Sequence, residues 1–345
     1  VLNLSFGDRA PVIVGATSTG VFYSADAQAG RPALFACLGG LGPDPELVRD
    51  LVRQGEGLKA RGVDLLMLAP QSAAFADAIS SVEGAEHRVI YTADSSGLER
   101  FTLAGRPALL AIDRSGRIAH LAALLPGADL LHLADALAPR FQTDAPRRCS
   151  TSAPALILPN ILSPETCRAL IDHFEASPHG PGLMASMARD GGAEAKLDES
   201  KKRRRDIELT ADAPLHAEVV AALASRISPE IKRAFQADIV FADRILIARY
   251  DDDGGFFKRH RDNVAPHVAF REFAVSLNLN TDDYEGGELL FPEFDDHRYA
   301  PPAGGAVVFS ASVLHEAAEV TRGSRYVLLT FLCTAAAEAR MSRAA

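Results

Sequence analysis

The sequence predicts an α/β unit followed by a jelly-roll or barrel unit with flanking helices, on three observations. At 345 residues the chain is longer than one ordinary compact domain. Its first half alternates apolar, β-type runs with helical patterns. Its last part is a series of short strand-like runs broken by Gly and Pro. The units are expected over 1–142 and 155–336, joined by the Pro-, Ser-, Thr- and Arg-rich stretch TDAPRRCSTSAP at 143–154.

In the first unit, strands are expected at 33–38, 63–69, 87–91 and 107–112. Helices are expected at 45–60, opened by Asp44 as N-cap with Pro45 at the first helical position, and at 71–82. A hairpin over 108–119 turns on Asp113-Arg114-Ser115-Gly116, and a helix near 128–137 closes the half. Strands and helices in this order imply an α/β sandwich. In the second unit a strand at 156–158 precedes a helix from Ser163-Pro164-Glu165 to about 175. A Gly-rich region follows at 179–192, read as a lid or loop. Beyond a helix near 214–235, strands are expected at 244–250, 256–261, 272–279, 288–291, 306–310 and 326–332. Many short strands of this kind make a jelly-roll or barrel.

Hydrophobic residues make up 48% of the chain and charged residues 23%, a globular composition. A net charge of −9 excludes a chain-wide nucleic-acid-binding role, and no Trp with 7% aromatics offers no base-stacking platform. No apolar run approaches the roughly 18 residues of a membrane span. The start VLNLSFGDRAP lacks the pattern of a secretory signal. Cys37, Cys149, Cys167 and Cys333 form no CxxC or zinc-like cluster. A cytoplasmic location and no membrane or nucleic-acid partner are therefore expected.

The chemistry is concentrated in 245–332. In FKRHRDN, His260 and Asp262 stand two residues apart on an expected strand, so alternation sends both side chains to one face. SVLHEAAEV supplies His315 as a third ligand. Two imidazoles and one carboxylate on one face of an octahedral metal leave positions open for substrate, as in non-haem Fe(II) oxygenases. A closed zinc site would want four protein ligands. Ten residues on, Arg325 heads the apolar strand RYVLLTFL, where a guanidinium needs an anionic partner and suits a carboxylate. His267 and His297 fall at no ligand position and are read as solvated or structural. The basic run from Lys201 to Arg205 reads as a solvated face; the alternative is that one of its arginines lines the active-site mouth and holds an acidic group of the substrate.

The ordered set RYDDDGGFFKRHRDN, LNLN, YEGGEL and SVLHEAAEVTRGSRYVLLTFL resembles the prolyl-4-hydroxylase family of 2-oxoglutarate/Fe(II) oxygenases. A lone His-x-Asp would say little; the order and spacing carry the resemblance. It spans about 156–332 and implies a double-stranded β-helix. It implies iron on His260, Asp262 and His315, and the distal carboxylate of 2-oxoglutarate on Arg325. It also implies a co-substrate hydrogen bond from Tyr250, and Asn278 in the same pocket. Fe(II), 2-oxoglutarate and O2 are the implied cofactors, with ascorbate as a candidate reductant. The implied reaction is hydroxylation of an unactivated C–H bond in a prolyl, peptidyl or amino-acid-like substrate. A small-molecule biosynthetic intermediate is the alternative.

The first half, over GDRAPVIVGATSTGVFYSADAQAGRPALFACLGG and RPALLAIDRSGRIAHL, resembles peroxiredoxin-like, thioredoxin-fold domains, with Pro107 as a candidate cis-proline. It departs from them in lacking a Cys in the loop at 39–47, where a peroxidase needs a low-pKa thiolate. Cys37 falls inside an apolar strand and is read as inert core. This half is expected to be a catalytically silent scaffold for self-association or substrate capture. The competing readings are a thiol redox enzyme built on it, and a non-catalytic binding protein with a vestigial barrel.

Overall fold

The computed structural model describes residues 4–344 apart from 12, 18–19, 21, 25–29, 40–41, 43, 93–101, 104–105, 142–147 and 188–192. The chain divides into two compact units, Val1–Ala145 and Pro146–Ala345. The expected linker, the loop at 39–47 and the Gly-rich region at 179–192 each lie partly outside the described residues.

In the first unit, β1 (Val14–Thr17), β2 (Phe22–Ser24), β3 (Ala33–Cys37), β4 (Asp64–Pro70), β5 (Val89–Thr92), β6 (Thr102–Leu103) and β7 (Arg106–Ile112) form one sheet in the order β2-β1-β5-β4-β3-β7-β6. β8 (Ile118–Ala123) also pairs with β7. β3, β4 and β5 run parallel, and β7 and β8 are the expected antiparallel hairpin. This layout is consistent with a thioredoxin-like half. Helix α1 (Pro45–Ala60) starts where the Asp44 carboxylate accepts a hydrogen bond from the Glu46 N–H at 2.9 Å. Helices α2 (Ala73–Ser80) and α3 (Leu130–Phe141) complete the unit. The expected strand at 87 starts later, because Ala85–His87 form a 3₁₀ turn.

Both faces of the central strand β3 are buried. Leu34 and Ala36 pack with Leu51, Phe75 and Leu130 of the helices, while Ala33, Phe35 and Cys37 join Leu110 and Ile118 in a second cluster. A strand covered on both sides reads as an unbroken apolar run, and Cys37 is accordingly buried with its thiol pushed far above the ordinary range by desolvation. The expectation of a cis Pro107 is corrected: no cis peptide bond occurs among the described residues. Pro107 lies within β7, opposite Thr102 of β6, where the extended chain simply continues.

The second unit is two facing sheets. Its strands are β9 (Ala155–Leu158), β10 (Gly180–Pro181), β11 (Met184–Met187), β12 (Ala193–Lys196), β13 (Lys202–Arg203), β14 (Arg205–Glu208), β15 (Ile239–Asp251) and β16 (Phe256–His260). They continue with β17 (Phe273–Asn278), β18 (Glu285–Gly286), β19 (Leu289–Leu290), β20 (Ala306–Ser310), β21 (His315–Ala317), β22 (Val320–Arg322) and β23 (Ser324–Thr334). The larger sheet runs β10-β14-β15-β23-β17-β20-β9 and the smaller β13-β16-β21-β19. β11–β12, a hairpin, and β18–β22, a long-range antiparallel pair, stand apart from the two sheets, so part of the expected Gly-rich loop is a hairpin arm.

Alternation divides the larger sheet's side chains cleanly. Ile245, Ile247, Val275, Leu277, Val308 and Leu328 face Leu170 and Phe174 of α4 (Pro164–Ala176) and the helical stretch that follows. Ala248, Tyr250, Ala274, Val307, Phe309 and Val327 face the smaller sheet, sharing a core with Leu289 and Ala317. The helix expected near 214–235 is α5 (His216–Ala222) and α6 (Ser228–Phe235) joined by a π-helical turn, Leu223–Ile227. Pro229 lacks the N–H that a continuous α-helix would use, and the wider turn absorbs the loss. A C-terminal helix, α7 (Ala335–Ala344), carries no signal used in the sequence reading.

Candidate metal centre and its cleft

His260 ends β16 and His315 begins β21, and the two residues are direct partners in that antiparallel pair. Their rings lie 4.2 Å apart between centroids. The sequence reading put Asp262 on the same strand; it lies instead in the turn after His260, pinned there by its N–H donating to the Ala311 carbonyl at 2.9 Å. From the turn its carboxylate still reaches both rings, with Oδ1 3.5 Å from His260 Nε2 and Oδ2 3.5 Å from His315 Nε2. The three ligand atoms lie within 4.8 Å of one another, the sole such set of His, Cys, Asp and Glu among the described residues. His267 and His297 take no part in it.

Both imidazoles are aimed by their second nitrogen. His260 Nδ1–H donates to the Lys258 carbonyl at 2.7 Å and His315 Nδ1–H to the Val313 carbonyl at 3.0 Å, a carbonyl being able only to accept. Each Nε2 is thereby left as a lone pair facing the carboxylate, the tautomer a metal requires. Phe257 stacks on His260 with 3.4 Å between centroids and Phe309 meets His315 edge-on at 4.6 Å, which fixes the ring planes. Burial lowers the pKa of the His315 imidazole, against the opposing pull of Asp262. Burial also raises the Asp262 carboxyl, but the histidines and Arg271 outweigh it and hold it below the usual carboxylate range. A neutral imidazole and an ionised carboxylate are the forms that ligate.

Arg325 faces the same interior. It is opposite Tyr250 in the β15–β23 register, one strand from Ser276 and Asn278 of β17. Its guanidinium is 2% exposed, donates to Asn278 Oδ1 at 3.0 Å and Ser276 Oγ at 3.3 Å, and leaves Nε with no hydrogen-bond partner. No carboxylate among the described residues pairs with it. A buried cation without a counter-charge is costly, so the site fits a dianion that brings its own carboxylate. Asn278, expected to line the pocket, stands behind the guanidinium: its amide donates to Thr281 Oγ1 and the Pro301 carbonyl, each at 3.2 Å, turning Oδ1 toward Arg325. Ser276, which the sequence reading did not single out, is the polar β17 residue that lines the cleft, beside Ala274 and Val275.

Tyr250 is buried between two guanidinium groups, with Arg325 5.3 Å and Arg204 5.7 Å from its ring centroid. Its hydroxyl accepts from Arg204 Nη1 at 2.9 Å and retains its own proton to donate. Arg204 corrects the reading of the basic run as a solvated face. Lys201, Arg203 and Arg205 are exposed, but Lys202 and Arg204 turn inward with Asp206, one residue in two. Arg204 pairs with the Asp206 carboxylate at 2.7 Å, and Lys202 Nζ donates to the Leu183 carbonyl at 2.8 Å and lies 3.4 Å from Asp206. Burial, with the Arg204 charge adding to it, pushes the Lys202 ammonium down to about 7. The signal that could have found them was the i, i+2, i+4 spacing of Lys202, Arg204 and Asp206.

These groups line one cleft of about 970 Å³. That is the upper end of the range for small-molecule sites, larger than a short diacid fills. Among the described residues no helix is long and apolar enough to cross a membrane.

Residues 245–333 match the model of the 2OG-Fe(II) oxygenase superfamily. A PKHD-type hydroxylase of Picosynechococcus sp. is 32% identical over 30% of this chain and 52% of its own length. Another, of Pseudomonas paraeruginosa, is 31% identical over 46% of this chain and 73% of its own. The chain thus spans about half of the first relative and nearly three quarters of the second. A crystal structure of a Pseudomonas putida prolyl-4-hydroxylase covers 53% of this chain and 94% of its own at 21% identity, TM-score 0.40. A Chlorobium tepidum chain described as a DsbE thiol:disulfide interchange protein covers 41% of this chain and all of its own at 17% identity, TM-score 0.35.

Proposed function

Because this chain belongs to the 2OG-Fe(II) oxygenase superfamily, we propose that it is a 2-oxoglutarate-dependent hydroxylase acting on a prolyl, peptidyl or amino-acid-like C–H bond. The observation that carries the reading is the buried, carboxylate-free guanidinium of Arg325 in the same cleft as a His-Asp-His triad. His260, Asp262 and His315 would hold Fe(II), and Arg325 the distal carboxylate of 2-oxoglutarate. Bound there, the ion and its co-substrate supply O2 activation and the two-electron oxidation that hydroxylates the target, releasing succinate and CO2.

The chain's own residues do the positioning. Asn278 and Ser276 both accept from Arg325 Nη2 and so fix the plane of the guanidinium, whose remaining N–H groups would meet the carboxylate. Arg204 fixes the Tyr250 hydroxyl and leaves its proton free to donate to the co-substrate. Phe257, Phe309 and Leu329 give the interior apolar walls, which limit water around the reacting centre. The name of the relatives, PKHD-type hydroxylase, supports hydroxylation as the outcome.

The test is succinate formation by the Fe(II)-loaded protein from 2-oxoglutarate under air, with His315→Ala as control. Succinate from the parent and its loss in the variant, with metal content lost too, is the expected result. A variant that keeps iron and turns over 2-oxoglutarate like the parent overturns the assignment.

A further inference from the structure

The cleft has the opposite sign to the molecule that carries it. The chain as a whole is −9, yet nine lysines and arginines line the cleft against two carboxylates, Asp262 and Glu316. Most of these cations are engaged: Arg204 with Asp206, Arg271 with Asp243, Arg261 with Glu293, Arg244 with Glu208, Arg259 with Glu316, and Lys202 with the Leu183 carbonyl and Asp206. Arg325 is committed to the co-substrate in the reading above. What remains open lies on the rim. Lys201, in the turn before β13, and Lys258 of β16 are exposed neighbours, the Lys258 N–H donating to the Lys201 carbonyl at 2.9 Å; Lys258 Nζ lies 5.5 Å from the Phe256 ring centroid, and no ion pair to either lysine is found among the described residues. Exposed Leu183 and Val264 add apolar contact on two further loops of the same cleft.

We infer that the cleft takes an acidic peptide segment, whose carboxylates lie along the Lys201–Lys258 rim while one residue reaches the triad. The inference rests on the oxygenase reading and adds the substrate class to it. A small free acid would need a convergent buried cation, and the inner ones are spoken for. Rim cations on two neighbouring segments, with apolar side chains on other loops of the same cleft, suit an extended chain with acidic and aliphatic residues. A single-stranded nucleic acid would want open aromatic faces, and Tyr250, Phe257 and Phe309 are covered by Arg204 and the histidines. A cleft of one sign also draws an oppositely charged partner from solution.

The experiment uses the full chain with Fe(II) and 2-oxoglutarate in the absence of O2. A fluorescein-labelled peptide of prolines flanked by glutamates is compared, by anisotropy, with its glutamine-for-glutamate counterpart. The acidic peptide should bind about tenfold tighter at low salt, with the advantage shrinking as salt rises. Lys201→Glu with Lys258→Glu should erase the advantage, and Lys201→Arg with Lys258→Arg should keep it. Equal affinity of the two peptides for the parent overturns the inference without recourse to any variant. So does a preference that survives the double reversal, or equally effective competition by free glutamate or oligothymidylate. Binding is read here without turnover, so a failure of succinate formation would sink the oxygenase reading and a missing acidic preference only this one.

Discussion

Arg325 owes part of its orientation to residues behind the cleft wall. Asn278 accepts from it, and is itself turned by Thr281 and Pro301. Asn278→Ala should therefore leave a buried donor unsatisfied and weaken 2-oxoglutarate binding by roughly 1–3 kcal/mol, with iron affinity unchanged; calorimetric titration of both ligands checks this. Lys202 makes a different prediction. Its folded pKa of about 7 lies below the ordinary lysine value of 10.5. Between those values the folded chain has released a proton that the unfolded chain keeps, so stability rises with pH across that window. Below about 7 the penalty is present in full, and above the window the gain is complete. The slope should be up to roughly 1.4 kcal/mol per pH unit, and Lys202→Met should flatten it; urea unfolding at pH 7, 8 and 9 decides. The triad and Arg325 were legible through the order and spacing of the motifs, although Asp262 lies in the turn after its expected strand and the short strand of His315 was not expected. Lys202 and Arg204 were hidden because a charged run reads as solvated until the face that each residue takes is known.

At the scale of elements, the short pieces matter most. β18, β21 and β22 have two or three residues each, too few to display alternation, so they escaped the sequence reading although β21 carries His315. The YEGGE segment entered that reading only as part of a motif, and the structure supplies its reason. Gly286 and Gly287 both have positive φ, and a Cβ on Gly287 would come within 2.9 Å of Arg325 Cδ and Val320 Cγ2. Gly287→Ala should cost about 1–3 kcal/mol in backbone strain and, by displacing the Arg325 stem, lower 2-oxoglutarate affinity more than it lowers iron affinity. Equal losses of both would show general unfolding of the sheet edge and not this collision. Helix starts at Asp44 and Ser163 were placed correctly, since capping residues act locally. The π-helical turn before Pro229 was not, because it depends on how the chain accommodates one missing donor.

For the whole molecule, the two units divide the chemistry. Every group of the candidate site belongs to Pro146–Ala345. In the first unit Cys37 is buried, its thiolate disfavoured by desolvation, so the thiol redox reading has no accessible nucleophile there. Hydrogen peroxide should be consumed no faster by the parent than by Cys37→Ser, as measured by ferrous-xylenol orange assay; a Cys37-dependent rate would restore that reading. The first unit was legible as alternating strands and helices because β3, β4 and β7 are nearly unbroken apolar runs, whereas the short β1, β2 and β6 were not expected, and nothing in its core chemistry states a task.

The inward and outward turns of residues 201–206 set limits on how this stretch can drift. It looks like a surface run in which any basic residue would do, and for Lys201, Arg203 and Arg205 a swap of one cation for another asks little of the fold. Gain or loss of a single codon would be another matter, because a one-residue slip exchanges the two sets. Arg204 would then leave Tyr250, Asp206 would lose its partners, and long side chains fitted for water would be driven into the cleft wall.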